Sequence, residues 1–274
     1  GGLTLNGGTL RWLAPFDLSA RRAITLGAGG GTFEPVFGGG GGPPVPVTIA
    51  SDIGGVGGLT KTGPATLVLT GTSSYAGATV IDNGNLIVRG GGQLAQQSAF
   101  RISNSGALYV DNAFQQIGSL TGEGALILGA NTLSVGLDNT STTFRGIIVG
   151  TDTPAPPGGT LTKTGAGTLT LEFSDTQNLA AINIAQGTLQ IGDGGPYAAS
   201  TVTNNGTLVF NRPDDYLFAG AIGGSGSVRL IGSGTVTLSG SNSYAGGTTI
   251  NGGALAVESD GNLGGDGGGL SFAG

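Results

Sequence analysis

Lys61-Thr62 and Lys163-Thr164 are the first residues whose types suggest chemistry, because a Lys-Thr step closes the loops that cradle phosphates. Such a loop needs Gly directly before the Lys, and Thr60 and Thr162 stand there instead. Both lysines therefore read as exposed strand positions. The adjacent carboxylates Asp214-Asp215 could hold calcium or act as acid and base. They follow Arg212-Pro213 with no third oxygen ligand nearby in sequence, so a solvated loop is expected. Glu172 and Asp175 read as solvated or ion-paired surface. Arg101 and Arg145 each stand alone, whereas an enzyme acting on acidic polysaccharides would cluster Asp with Arg or Lys. The pairs Thr168/Thr170, Thr201/Thr203 and Thr235/Thr237 would face outward, as in a flat ice-binding array, but other copies of the pattern place Asn85, Ala107 or Ala254 there. Tyr75 and Tyr244 occupy equivalent places, where stacking on a ligand is weighed against packing within a turn, and packing is expected. There is no His, which removes imidazole bases, His-based triads and His metal sites together. The expectation is a chain without catalytic residues, cofactor or metal, and not an enzyme.

The elements that carry these residues are set by composition. Glycine supplies 59 of 274 residues, roughly three times the ~7% of ordinary proteins. Glycine weakens both helix and strand interiors, so the fold must contain many tight corners. No Gly-X-Y period is present, and 38% hydrophobic against 9% charged residues argues against disorder. The formal charge is −6 and the ten basic residues form no stripe, so nucleic acid is not an expected partner. No apolar run approaches the ~20 residues of a membrane helix. The absence of Cys suits export through an oxidising compartment and a narrow pore, where a disulfide-closed loop would obstruct passage.

One short pattern recurs: a small residue, any residue, Leu or Val, any residue, then a large apolar residue. It is centred on Leu10, Leu67, Leu86, Leu108, Leu126, Leu169, Leu189, Leu208, Val236 and Leu255. Each unit alternates with period two, the signature of a strand with one buried face. The steps Leu67–Leu86, Leu86–Leu108 and Leu108–Leu126 are 19, 22 and 18 residues; Leu169–Leu189, Leu189–Leu208 and Val236–Leu255 are 20, 19 and 19. About 20 residues hold three short strands and three turns, one coil of a β-helix, with coils stacked ~4.8 Å apart. Asn-Gly steps at Asn6, Asn83, Asn205 and Asn251 supply the turns. The alternative is an antiparallel sandwich with hairpin turns, which would not keep one motif at near-constant spacing. The expected fold is all-β: a right-handed parallel β-helix of about 12–14 coils, in which Leu189, Leu208 and Leu255 face inward and stack.

Three longer segments carry a family likeness. Residues 58–88 read GLTKTGPATLVLTGTSSYAGATVIDNGNLIV, residues 159–191 read GTLTKTGAGTLTLEFSDTQNLAAINIAQGTLQI, and residues 226–257 read GSVRLIGSGTVTLSGSNSYAGGTTINGGALAV. They resemble the autotransporter-associated β-strand repeat of passenger domains in type V secretion. Residues 19–35, SARRAITLGAGGGTFEP, resemble sequence found between such repeats. The middle copy departs from the pattern, with Gln177-Asn178-Leu179 where the others have Tyr-x-Gly. The resemblance implies a parent with a signal peptide and a C-terminal outer-membrane barrel, and residues 1–274 read as a single β-helix piece of a longer passenger. It implies a location outside the cell or on a Gram-negative surface, and a monomeric stalk whose partners are host-cell or matrix proteins or glycans. Two other functions stay open: a stalk for a protease or other catalytic domain outside this piece, and a polysaccharide-acting β-helix enzyme. Residues 38–47 (GGGGGPPVPV) and 151–159 (TDTPAPPGG) break the coil pattern. Proline cannot donate to a strand ladder, so both are expected to protrude as loops, the expected place for any adhesive contact. The Leu208–Val236 interval of 28 also suggests a bulging loop.

Overall fold

The computed structural model describes residues 1–36, 45–150, 157–173, 177–194 and 197–273. It is built of short strands, with a single 3-10 turn at Asp260–Asn262 among the described residues. Every strand pairing among them is parallel, from Leu3 on Ile24 to Ile250 on Phe272. That removes the antiparallel sandwich, since a hairpin joins only antiparallel neighbours. The chain is a parallel β-solenoid of about 12 turns, a rod of roughly 60 Å at ~4.8 Å per coil.

Each coil is triangular. The first face carries an uninterrupted inward ladder that runs Phe33, Lys61, Ile81, Ile102 and Gly122, then Phe144, Leu171, Ile191, Phe210, Leu230 and Ile250. The second face stacks Val47, Leu67, Leu86, Leu108, Leu126 and Ile148, and returns later in the chain as Tyr216, Val236 and Leu255. The third face stacks Gln115, Leu133, Leu161, Ile182, Val202 and Ile222. The strands Thr79–Arg89 and Ala99–Asp111 each run round a corner and belong to both the first and second faces. The alternating sequence explains the core: every second residue points inward, and Leu67, Leu86, Leu108, Leu189 and Phe210 are fully or almost fully buried. Each such side chain contributes about 1.5–3 kcal/mol relative to exposure.

The stacking corrects two sequence expectations. Leu189 does lie on Leu208, but Leu255 pairs with Val236 on another face and is only half-buried. The long Leu208–Val236 interval is likewise no bulge. The residue stacked on Leu208 is Val228, one ordinary step of 20 residues away, and Val236 begins the next face of that coil. Equal motifs at unequal spacing mark a change of face. The first and third repeat copies enter on the first face, at Lys61 and Leu230, whereas the middle copy enters on the third face, where Lys163 pairs with Val135 and Ile184.

Candidate functional site

The most unusual chemistry in the rod is at the two lysines, and it is internal. Lys61 and Lys163 are essentially buried (0% and 1% exposed), so the exposed position expected from the sequence is wrong for both. Each enters at the end of a Leu-Thr-Lys strand, pointing inward by the strand's alternation, just where the chain turns a corner. A buried ammonium is tolerated only if its donors are matched. Lys61 Nζ donates to the carbonyls of Thr62 (2.9 Å), Gly63 (2.7 Å) and, one coil later, Asn83 (2.8 Å). Lys163 repeats the set with Thr164, Gly165 (2.7 Å) and Gln186 (3.4 Å). Three N–H donors thus meet three corner carbonyls, and each lysine staples its own turn to the turn of the next coil. Burial pushes both ammonium groups down to about 8, with the Asp138 carboxylate drawing Lys163 partly back. At neutral pH both remain charged.

The staple needs glycine on the partner turn. Gly84 and Gly187 have φ of +71° and +68°, and a Cβ on either would lie 2.9 Å from the lysine Nζ. A β-carbon there would press first on the corner carbonyls, at 2.5 Å from Gly63 O or closer still to Gly165 O, and then on the ammonium, in a backbone region L-residues rarely adopt.

The tyrosines belong to the core. Tyr75 and Tyr244 are buried, and each hydroxyl bonds the threonine four residues on, Thr79 or Thr248, at 2.6 Å. Thr79 continues to Ser98 Oγ at 2.8 Å. This gives the Tyr-x-Gly-x-Thr phrase a packing role, and burial raises both phenol groups above their ordinary value.

The acidic candidates are distributed rather than gathered. Asp214 pairs with Arg212 at 2.7 Å, while Asp215 accepts from the Thr235 amide at 3.1 Å. Arg212 is itself buried, donates to the Gly192 carbonyl (2.9 Å) and lies 4.6 Å over the Tyr216 ring. Sequence reasoning passed over this arginine; its hint was the run Asn-Arg-Pro-Asp-Asp-Tyr at the end of an apolar strand. Glu172 pairs with Arg145 at 2.7 Å, and Arg101 lies near Asp82 at 3.9 Å. Asp175 lies outside the described residues. Among the described residues, no three His, Cys, Asp or Glu side chains gather as a metal site. The threonines form no flat array: Thr168 stacks on Thr188, Thr207 and then Ser227, but Thr170 is buried and is followed on successive coils by Gln190, Val209, Arg229 and Thr249. Of the two expected loops, residues 38–44 and 151–156 lie outside the described residues, while Val47 and Gly158-Gly159 already belong to strands.

The passenger-associated-transport-repeat family matches residues 59–88, 161–191 and 230–257, the three segments whose corners hold Lys61, Lys163 and Leu230. Over 99% of its length the chain is 36% identical to the adhesin BmaC autotransporter of Brucella suis. The chain is an autotransporter passenger domain. This passenger corresponds to 9% of the length of that relative. A further relative, the neisserial autotransporter lipoprotein NalP of Neisseria meningitidis, is 37% identical over 33% of the passenger chain and 8% of its own length. No solved structure matches the passenger chain.

Proposed function

We propose that this passenger piece is a non-catalytic stalk and adhesive surface, carried outside a Gram-negative cell by an outer-membrane barrel elsewhere in the parent. The observation that carries the reading is the alignment of nearly the whole chain with a protein named as an adhesin. The rod geometry supports it: stacked coils project a rigid, regular surface away from an anchor. The chemistry supports it as well, because the buried ammonium groups and the buried arginine are engaged within the fold. Partners are host-cell or matrix proteins or glycans. The test is binding of the labelled, purified chain to cultured epithelial cells and to immobilised matrix proteins, against a heat-unfolded control. Saturable binding by the folded chain alone is expected; equal binding by both, or none, overturns the adhesive half of the proposal.

The stalk half has its own support. The NalP relative, named an autotransporter lipoprotein, matches a third of this chain. A parent with a catalytic domain outside this piece would use the same rod as a spacer.

A further inference from the structure

We propose that a cleft at the corner of the 22-residue coil is a binding site for a neutral glycan. The inference rests on the adhesive reading and names the ligand class and the place. Between Leu86 and Leu108 the coil takes 22 residues, against 19 for the coil before it. The extra residues fall between Val88 and Gln93 and between Ile102 and Ser105, and the turn containing Gln93, Gln96 and Gln97 stands beside the Thr72–Ala76 turn of the preceding coil. Together they enclose a cleft of about 400 Å³, inside the ~300–1,000 Å³ range of small-molecule sites and roomy enough for about one or two sugar rings.

The cleft is held in shape from within. Gln115, fully buried, accepts from the Leu94 amide at 2.8 Å and donates to the Gly92 carbonyl at 3.0 Å. The two turns are tied by Ser73 N to Gln93 O at 2.8 Å and Gln93 N to Gly71 O at 3.2 Å. A site tied down before binding loses less entropy on binding.

Its chemistry selects the ligand. The lining presents the exposed Thr72, Ser74, Gln96 and Gln97 beside an apolar wall at the exposed Ala76, over the buried Tyr75 and Leu94, and contains no charged side chain. A carboxamide offers a donor and an acceptor side by side, the pattern that neighbouring sugar hydroxyls complement, while the apolar wall suits the C–H face of a pyranose. The Asp52 carboxylate is taken up by the Thr72 amide at 2.8 Å. A sulfated, sialylated or uronic-acid glycan would bring a charge into a cleft without a counter-ion, which is unfavourable.

The experiment uses the purified chain on an array of lactose, cellobiose and chitobiose beside sialyllactose and heparin fragments, followed by calorimetry on any sugar bound. Binding to at least one neutral sugar is expected. Gln96→Ala/Gln97→Ala should weaken it at least tenfold, and Ala76→Trp, from an exposed wall position, should block it, both at unchanged melting temperature. No neutral binding, a preference for the acidic glycans, or binding untouched by both variants overturns the site. Cell binding by the same proteins separates the two readings: variants that adhere fully sink the glycan cleft alone, whereas an unmodified chain that binds no cells sinks the adhesive proposal.

Discussion

The corner at Lys61 and the corner at Leu230 occupy the same place in the repeat and the same inward ladder, yet one holds a cation and the other an aliphatic side chain. Both are buried. What differs is the inventory of acceptors. At Lys61 three carbonyls, two local and one from the following coil, converge on the ammonium. At Leu230 the side chain packs within the apolar ladder between Phe210 and Ile250. An inward position therefore does not demand an apolar residue; it demands that whatever points inward be satisfied, by contact or by matched hydrogen bonds. The lysine corners add what leucine cannot, a direct bond between successive turns.

The largest expected effect comes from an inward charge with no acceptors. Leu208→Asp places a carboxylate between Leu189 and Val228 and should cost several kcal/mol. Thr207→Asp, one residue away on the half-buried outer side, should cost little. Denaturant unfolding of the two variants checks this, and equal losses would mean the strand faces are reversed.

Lys61→Leu converts the first corner into the third. It strands the buried Gly63 bond and two partly buried ones, so a loss of about 1–3 kcal/mol is expected. Lys163→Leu should behave alike on its own face. A stabilised Lys61→Leu would show that the ammonium costs more in desolvation than its bonds return.

Of similar size is Gly84→Ala, which sets a Cβ at a positive φ against the Gly63 carbonyl and the Lys61 ammonium; about 1–3 kcal/mol is expected. Combined with Lys61→Leu only the part of the penalty due to Nζ should go, because the Gly63 carbonyl still meets the Cβ. Strict additivity in that double-mutant cycle would remove glycine from the staple.

The mildest probe is pH. Both lysines hold a proton less tightly when folded, about 8 against 10.5. Between these values the unfolded chain binds more protons, so stability should rise with pH over that window. Higher still, the raised phenol groups of Tyr75 and Tyr244 reverse the trend, because the unfolded tyrosines ionise first. Melting curves across pH 7–11 should show the rise, flattened in a Lys61→Leu/Lys163→Leu chain. A wild-type profile that falls steadily from pH 8 would refute the burial argument.

Much of this was legible in the residues. The ladders Leu67–Leu86–Leu108–Leu126 and Leu169–Leu189–Leu208 stack as their spacing implies, because a coil of short strands must bring the same residue back after one circuit. The packing role expected for Tyr75 and Tyr244 also holds. The buried lysines are not legible because a hydrophobic pattern scores Lys as outward, and the cleft is not legible because its lining comes from two turns about 20 residues apart that only the stacking of coils brings together.

Composition and period by themselves determined an all-β chain of stacked coils: glycine allows the corners, and alternation every two residues provides one buried side per strand. They could not determine which of three faces a motif occupies, because the same apolar triplet fits any of them and the count of turns between copies decides. Nor could they place a lysine inside. The third acceptor for Lys61 is the Asn83 carbonyl and for Lys163 the Gln186 carbonyl, backbone groups that any residue carries and that reach the ammonium only once the next coil has been laid down.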